Sequence, residues 1–366
     1  MSGARVARRV TLPARHLRRL GNLLAGVTFV AMLLAALSGC AIPPDGGAAG
    51  ASPSASATSA ASALPSWRDD TARQSIVRFV DAVTKPGTAD YVAPADRIAV
   101  FDNDGTLWSE QPLYFQFYFL FDQVRAAAPR HPEWRNDPAF VALMANDMPA
   151  LMRQQEALLK LVSIANSGMT VDEYDATIRA WLAQARHPRF GRPYTDLVYQ
   201  PQLELLDYLR ANGFRTYIVS GGTREFMRPW SERVYGIPPE QVIGSTQAVK
   251  YEVRDGQPAL VRGPTFEFID DGPGKPVGIY HQIGKRPIVA VGNSDGDLQM
   301  LQYTMAGAGA RLAVLVHHDD AEREFAYDRQ SSVGKLDKAL DEATARGWTV
   351  ISMKRDWARI YPFAQP

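Results

Sequence analysis

The chain has 366 residues, of which 46% are hydrophobic and 22% charged, which suits one large domain with an insertion and an ample core. The formal net charge is +1, but all six basic residues before Cys40 are arginines and no acid precedes Asp45. Without residues 1–39, 34 basic residues face 39 acidic ones, a net charge of −5. That charge excludes a general attraction for nucleic acid, and the single cysteine excludes an intrachain disulfide or a cage of thiolate metal ligands.

The N-terminal residues have the organisation of an export signal. A basic region, 1–21, precedes an apolar run at 23–37 that is shorter than the ~20 residues of a membrane-spanning helix. The run closes with the sequence LSGC at Cys40, which resembles the lipobox of bacterial lipoproteins, where the signal is cut before a cysteine that then receives a lipid. We predict a signal peptide over 1–39 and a lipid anchor at Cys40. The exported protein would then be held on a bacterial membrane, facing the periplasm or the cell exterior; a plain signal peptide is the alternative.

Residues 40–66 consist mostly of alanine, serine, glycine and proline. Such a segment has too few large apolar side chains to offset the entropy lost on ordering, so it predicts a flexible linker. We expect order to begin near Trp67, followed by a helix over 68–84 with an apolar face.

An apolar run ending at Phe101 predicts a buried strand, and Asp102 and Asp104 follow it directly. Open α/β folds bind ligands at the carboxyl ends of their strands. Two acids one residue apart can divide the chemistry, because one can attack or hold a cation while the other moves a proton. The same residues also fit an ordinary strand followed by an Asp-Gly turn, so the remainder of the chain has to decide.

Residues 110–195 have helical character without a convincing strand. The aromatic stretch 112–126 is interrupted by polar residues and too short to cross a membrane, so we expect a helix that roofs a cleft. A second apolar pattern covers 139–165, and a capping box at 170–173 opens a helix to about residue 186. This region predicts a helical cap inserted between two strands of the sheet.

Strand-helix alternation resumes after the cap. Such alternation is typical of a parallel sheet with helices on both faces. We predict an α/β fold with a Rossmann-like core formed by residues 67–109 and 196–366, carrying the helical cap and a small β-hairpin. The elements predicted after residue 196 are helices over 201–212, 275–283, 297–305 and about 335–346, strands over 214–219, 287–291, 312–316 and 348–352, and a hairpin over 249–262 turning at 255–256.

Polar residues follow three of the predicted strands. Because parallel strands end at one edge of a sheet, residues nearly two hundred positions apart can converge there. Oxygen ligands without histidine or cysteine suit Mg²⁺, while a hydroxyl, exposed amides and a lysine suit the oxygens of a phosphoryl group. These residues are Asp102 and Asp104, Ser220 with Gly221, Lys275 at a helix start, and Asn293 and Asp297 in the box that begins at Gly292.

Four motifs in this order resemble the haloacid dehalogenase (HAD) superfamily, specifically its phosphatases of the phosphoserine-phosphatase-like type. The motifs are D-x-D-G-T at 102–106, the strand-ending Ser220, Lys275, and a G-(D/N)-x-x-x-D box at 292–297. The resemblance spans about residues 96–320, with the helical insertion where that superfamily carries a cap.

The resemblance implies a mechanism. Asp102 would attack phosphorus and form an aspartyl-phosphate, and Asp104 would protonate the leaving oxygen and then activate water. A dehalogenase would not have an acid at position 104, so phosphate chemistry is favoured. The implied substrate is a small organic phosphate, with phosphoserine as one candidate; phosphoryl transfer to another alcohol and the oligomeric state stay open. The implied phosphate-binding residues are Thr106, Ser220, Gly221 and Lys275, and the implied Mg²⁺ ligands are Asp102, the Asp104 carbonyl, Asn293 and Asp297.

The chain departs from the superfamily pattern at Asn293, where the box usually begins with an aspartate. Asparagine is a competent oxygen ligand, but it removes one negative charge from the predicted metal site. The interval between Lys275 and Asn293 is also short for this type, so Lys285 is an alternative for the lysine.

Two other functions compete with this interpretation. Residues 292–296 also fit G-x-S-x-G between a strand and a helix, which would make Ser294 the nucleophile of a serine hydrolase. The order of the chain disfavours this, because a suitable acid between Ser294 and the last histidines is missing. The other alternative is a non-catalytic, ligand-binding lipoprotein on a HAD-like fold, which Asn293 favours and the intact acids disfavour.

Overall fold

The structure is a computed structural model that describes residues 64–364. The signal peptide, the lipid anchor at Cys40 and most of the predicted linker lie outside these residues. The last part of the predicted linker is ordered: Leu64 and Ser66 are buried, three residues or fewer before the predicted start at Trp67. The apolar Leu64 side chain packs into the main core, and the Ser66 amide donates to the carboxylate of Glu204 at 2.8 Å.

A mostly parallel sheet of eight strands forms the centre of the described residues, which confirms the predicted α/β class. The order is β4-β3-β2-β1-β5-β6, and both β7 and β8 pair with β6. The pairs β3–β4 and β6–β7 are antiparallel, and the others are parallel. The strands are β1 (Ile98–Phe101), β2 (Arg215–Thr223), β3 (Val242–Arg254), β4 (Gln257–Phe268), β5 (Val289–Gly292), β6 (Leu312–Asp319), β7 (Ala326–Tyr327) and β8 (Thr349–Ser352).

Helices cover both faces of this sheet. Along β1, Ala99 and Phe101 belong to one apolar cluster and Ile98 and Val100 to the other, so the strand is buried on both sides and reads as a continuous apolar run. The helices are α1 (Thr71–Thr84), α2 (Phe115–Ala127), α3 (Pro138–Met144), α4 (Met148–Met152), α5 (Gln155–Ala165), α6 (Val171–Gln184), α7 (Gln200–Ala211), α8 (Arg224–Tyr235), α9 (Gly274–Ile283), α10 (Leu298–Met305), α11 (Lys338–Arg346) and α12 (Met353–Asp356).

The helical region between β1 and β2 differs from its sequence pattern in one place. The pattern over 139–165 is divided into three short helices, α3 to α5. Asn146 takes a left-handed conformation with φ of 53°, and the Asp147 side chain then caps α4 by accepting from the Ala150 amide at 3.0 Å. This turn changes the direction of the chain while the apolar periodicity continues through it. The helix predicted from the capping box at Thr170 is confirmed as α6.

The hairpin turns where it was predicted, with left-handed backbone at Asp255 and Gly256, φ of 51° and 76°. Its strands are longer than predicted, because β3 begins as a parallel neighbour of β2 and then continues as the antiparallel partner of β4. Within residues 64–364, no helix combines the length and the apolar character that crossing a bilayer requires.

Candidate active site

A buried lysine lies between two aspartates at the carboxyl edge of the sheet. Lys275 Nζ is 2.6 Å from Asp102 Oδ1 and 2.6 Å from Asp297 Oδ1, and it also donates to the Val219 carbonyl at 3.0 Å. Burial alone would lower the pKa of Lys275, but the two carboxylates outweigh burial and raise it above its ordinary value. The lysine therefore stays charged beside the Asp102 carboxylate.

Three strands and one helix bring these groups together. Asp102 follows β1, and its amide donates to the Val291 carbonyl on β5 at 2.9 Å. Lys275 is the second residue of α9, and its side chain extends from the start of this helix to Asp102 at the carboxyl edge of the sheet. The structure thus selects Lys275 over the alternative, since Lys285 is about half exposed and pairs with Asp96 at 2.6 Å.

Asp297 joins Lys275 to the loop after β5. Its Oδ2 accepts from the amides of Asn293 and Ser294 at 2.9 and 3.0 Å, while its Oδ1 accepts from Lys275. Both oxygens are therefore already bound by the protein. The structure places Asp297 as an anchor for Lys275 and for the loop after β5.

Asp104 lies two residues beyond Asp102 and faces the same cavity. Burial raises the pKa of Asp104 above its ordinary range, and the hydrogen bond from Trp108 Nε1 to Asp104 Oδ1 at 2.8 Å offsets part of that rise. The Trp108 ring stacks on Trp230 with 4.5 Å between centroids, which fixes the indole that orients the acid. A carboxylic acid with a raised pKa can hold a proton at neutral pH and donate it.

Ser220 and the glycines after it form the third part of the site. Ser220 is buried, and its Oγ accepts from the Gly222 amide at 3.1 Å. A Cβ on Gly222 would lie 2.9 Å from Gln116 Oε1 and 3.8 Å from Asp104 Oδ2, so the absence of a side chain there allows Gln116 to approach. Gly221 and Gly222 line the cavity beside Asp104. The segment therefore presents small groups to the cavity.

Asn293 lies beside a carboxylate that the motifs did not identify as part of the site. Its Nδ2 donates to Glu110 Oε1 at 2.7 Å, and its Oδ1 accepts from the Thr106 hydroxyl at 3.2 Å. Tyr327 on β7 donates to the same oxygen of Glu110 at 2.8 Å. Burial raises the pKa of Glu110 well above its ordinary range, although Tyr327 opposes part of that effect. Position 293 therefore lacks a charge, but a buried acid lies next to it.

A second buried pair supports the loop after Asp104. His318 Nε2 is 2.7 Å from the Gly105 carbonyl, and its Nδ1 is 3.3 Å from Glu324 Oε2. The imidazole therefore bridges the loop after Asp104 and the buried Glu324 carboxyl group. Burial would raise the pKa of Glu324, but His318, the Ser109 hydroxyl and the Phe325 amide together outweigh burial and lower that pKa below its ordinary value. Neither His318 nor Glu324 has a sequence signal, because the contacts that join this pair to the site, His318 with Gly105 and Glu324 with Ser109, span 213 and 215 residues.

Ser294 has the surroundings of a helix cap. Its hydroxyl accepts from the Gly296 amide at 3.2 Å and lies 3.3 Å from Asp297 Oδ2. His317 pairs with Asp328 at 3.6 Å, and His318 is held as described above. No histidine of residues 64–364 is therefore bonded to Ser294, and the geometry does not support a serine hydrolase.

A cavity of about 430 Å³ opens above these groups. It is lined by the strand-end residues, by residues of α2 and α5, and by residues around the end of β4. The predicted residues that line it are Asp102, Asp104, Gly221 and Lys275; Thr106, Ser220, Asn293 and Asp297 lie buried around them.

Residues 99–302 match the haloacid dehalogenase-like hydrolase family, and this match covers more than half of the chain. The chain belongs to that family. The predicted HAD-type hydrolase is thereby confirmed, and the resemblance noted from the four motifs agrees with the match. A comparison with curated proteins finds no match.

Three solved structures illustrate what the HAD chain is similar to. One is a conserved protein of unknown function from Anaerococcus prevotii, 16% identical, covering 76% of this chain and 90% of that one, with a TM-score of 0.48. Another is a protein of unknown function from Bordetella pertussis, 17% identical, covering 70% and 97%, with a TM-score of 0.44. A phosphoserine phosphohydrolase-like protein from Francisella tularensis is 16% identical, covering 71% and 95%, with a TM-score of 0.35.

The chemistry of the HAD cavity suits a divalent cation. Asp102, Asp104, Glu110 and Asp271 line it, and Lys275 is the one basic side chain among the described lining residues. Four carboxyl groups thus face one lysine, and a bound cation would favour their ionised forms and offset the charge of an entering phosphate dianion. Within residues 64–364, no three side chains of His, Cys, Asp or Glu are arranged to hold a metal by themselves. A cation here would need further oxygen donors, which the predicted ligands, the Asp104 carbonyl and the Asn293 amide oxygen, would supply; hard oxygen donors of this kind fit Mg²⁺.

Proposed function

We propose that this HAD hydrolase is a Mg²⁺-dependent phosphomonoester hydrolase that acts through an aspartyl-phosphate on Asp102. The observation that supports this most is Lys275 Nζ at 2.6 Å from Asp102 Oδ1, at the floor of a cavity that Asp104 also lines. A fixed cation beside a carboxylate stabilises the negative charge that collects when that carboxylate meets a phosphoryl group. The protonatable acid at position 104 supports phosphate chemistry over dehalogenation.

In the first step, a carboxylate oxygen of Asp102 forms a bond to phosphorus. The bond from phosphorus to the ester oxygen breaks, and Asp104 gives its proton to the leaving alcohol. The positive charge of Lys275 stabilises the phosphoryl oxygens, and the Ser220 hydroxyl and the Gly221 amide bind them as the bond is exchanged. The products are the free alcohol and a phosphorylated Asp102.

In the second step, the Asp104 carboxylate takes a proton from a water molecule. The water oxygen bonds to phosphorus, the bond between phosphorus and Asp102 breaks, and inorganic phosphate leaves. Asp104 is then protonated and Asp102 ionised, as at the start. Mg²⁺, when held by the Asp102 carboxylate, the Asp104 carbonyl and Asn293, supplies positive charge that screens the phosphoryl oxygens from these acids.

The test uses the full chain with para-nitrophenyl phosphate. We expect hydrolysis with Mg²⁺, its loss with EDTA, and its return when Mg²⁺ is restored. Asp102→Asn should lower kcat by roughly 10³-fold or more, because no second group replaces the nucleophile. Asp96→Asn, an equivalent change at an exposed position, should leave the rate unchanged. Absence of hydrolysis with several divalent metals would contradict the proposal.

Asp104→Asn separates the two steps. Because para-nitrophenolate leaves without needing a proton, the variant should still phosphorylate Asp102 but hydrolyse the intermediate slowly. Mass spectrometry of the acid-quenched protein should then show one added phosphoryl group. A protein that never gains this mass would argue for direct attack by water.

We also propose that the mature protein is an exported lipoprotein anchored through Cys40, on the basis of the LSGC sequence after the apolar run. Metabolic labelling with palmitate should mark the full chain in a bacterial host, and Cys40→Ser should abolish the label. Labelling that survives Cys40→Ser, or a protein that stays in the cytoplasm, would contradict this.

A further inference from the structure

Six apolar side chains line the cavity in addition to the strand-end residues. They belong to α2, to α5, and to the end of β4 with the residue after it, and form what we call the apolar wall. The apolar lining residues are Phe117, Leu120, Leu159, Val162, Phe266 and Ile269. These side chains surround the space into which the alcohol part of a phosphomonoester would project from the phosphoryl site.

The polar side chains on the same wall are already bonded within the protein. Gln116 Oε1 accepts from the Thr223 amide at 2.9 Å, and its Nε2 donates to the Thr223 hydroxyl at 2.7 Å. The Tyr114 hydroxyl accepts from the Gly334 amide at 3.0 Å. These bonds occupy Gln116 Oε1 and part of the capacity of Gln116 Nε2 and the Tyr114 hydroxyl, so a polar alcohol finds few groups left to pair with, which costs binding free energy.

The lining also lacks a cation that could receive a second anionic group. Lys275 is the one basic residue among the described lining residues, and Asp102 and Asp297 both hold it. Asp271, which lines the cavity beside Gly221, adds a carboxyl group and no cation. A substrate with a carboxylate, such as phosphoserine, finds no partner for it here.

We propose that the leaving group is an apolar alcohol, so that the substrate class is alkyl or aryl monophosphates, not amino-acid or sugar phosphates. This inference rests on the phosphatase activity proposed above. The cavity of about 430 Å³ lies within the ~300–1,000 Å³ of small-molecule sites. Leu159 and Ile269 are 46% and 55% exposed, so the apolar wall continues to the surface, where a longer chain extends.

The experiment measures kcat/KM of the full chain with Mg²⁺ for ethyl, butyl and hexyl phosphate. These esters have nearly the same leaving-group acidity, so a change along the series reports contacts of the chain. Burial of one methylene corresponds to a factor of about four. We expect kcat/KM to rise at least about tenfold from ethyl to hexyl phosphate, and phosphoserine and glycerol phosphate to fall below ethyl phosphate.

Two substitutions locate the effect. Leu120→Asn and Leu159→Asn should each lower the hexyl-to-ethyl ratio severalfold, because a polar amide replaces part of the apolar wall. Leu159 is partly exposed, so its variant retains the fold even if Leu120→Asn does not. The matched control is Leu260→Asn on the hairpin, which is 51% exposed, lies outside this cavity and should keep the ratio of the unchanged protein.

The outcomes separate this inference from the proposed function. Hydrolysis without a rise along the series, or a preference for phosphoserine, would overturn the apolar leaving group while leaving the phosphatase intact. A ratio that Leu159→Asn and Leu260→Asn lower equally would also overturn it. No hydrolysis of any ester would contradict the phosphatase itself.

Discussion

Lys275 is buried to 98% of its surface although it is the second residue of a helix, a position where lysines are usually solvated. Its burial is tolerated because two carboxylates, Asp102 and Asp297, each lie 2.6 Å away. A buried ion group of this kind is costly to form but much costlier to break, since removal of one member leaves the others without a partner.

Lys275→Met should therefore lower the free energy of unfolding by roughly 3–5 kcal/mol at pH 7, as measured by urea denaturation. The reason is that Asp102 and Asp297 are left buried and uncompensated. Lys285→Met is the matched control, because its pair with Asp96 is exposed and such pairs contribute about 0–1 kcal/mol. Equal losses in the two variants would show that Lys275 is not the centre of a buried ion group.

Asp270 is a buried acid without a partner. Both of its carboxylate oxygens lack a hydrogen bond within the described residues, and burial raises its pKa to about 7. A folded-state pKa above the unfolded one means that the contribution of this group to stability is fully present below the unfolded value of 3.8. It declines as the pH rises above 3.8 and is lost once the pH passes about 7.

Asp270→Asn removes this titration. The free energy of unfolding of the variant, relative to that of the unchanged protein, should rise by roughly 4 kcal/mol between about pH 4 and 7. Above pH 7 the difference should stay constant. Calorimetric unfolding of both proteins at pH 4.5, 6 and 8 measures the difference. A difference that stays constant across this range would show that Asp270 is ionised throughout in the folded protein.

Among the elements, α6 has the most complete local signal. The Thr170 hydroxyl accepts from the Glu173 amide at 3.1 Å, and the Glu173 carboxylate accepts from the Thr170 amide at 2.7 Å. Thr170→Ala should lower the free energy of unfolding by about 1 kcal/mol, because one amide at the helix start loses its acceptor. Chemical denaturation measures this. Thr177→Ala, inside the same helix, should change the free energy of unfolding little. Equal decreases in the two variants would show that Thr170 does not stabilise the helix as a cap.

Elements of this kind could be predicted because their signals are local. The capping box at Thr170 and the Asp255-Gly256 turn each lie within a few residues, and both predictions are confirmed. The division of 139–165 into three helices could not be predicted from its apolar pattern, because neither the left-handed Asn146 after α3 nor the break at 153–154 after α4 interrupts that pattern. The extension of β2 to Thr223 was missed because it depends on a bulged pairing with β3, which no local pattern of β2 contains.

At the scale of the molecule, the two ends of the described chain pack together. Leu64 and Trp67 are buried, the Trp67 indole donates to the Pro201 carbonyl at 2.9 Å, and its ring meets Trp357 edge-on at 6.0 Å. A chain that begins at residue 71 should therefore be less stable than one that begins at residue 64. Burial of two large apolar side chains accounts for roughly 3–6 kcal/mol.

Thermal unfolding of the two truncated chains tests this prediction. The shorter chain should unfold at a lower Tm, with Trp357 exposed to solvent and its fluorescence shifted accordingly. Equal Tm values would show that the segment before α1 contributes nothing to the folded domain, in line with a linker that reaches residue 66.

The site as a whole was only partly accessible from the sequence. Asp102, Asp104 and Lys275 could be proposed because motifs mark strand ends and parallel strands share an edge. The contacts of Glu110 and His318 could not, because one is joined to Asn293 across 183 residues and the other to Gly105 across 213. Burial and hydrogen-bond partners, which decide their part in the site, exist only in the folded chain.

The positions of Tyr327 and His318 in the chain decide which fragments of the protein can be expected to be active. Tyr327 and His318 both follow residue 302, where the family match ends, yet one orients Glu110 and the other holds the loop after Asp104. A fragment cut at the limits of that match would contain every recognisable motif. It would still lack the two side chains that hold Glu110 and the loop after Asp104 in position. Cloning limits chosen from the motifs alone would therefore yield a protein whose inactivity says nothing about its chemistry.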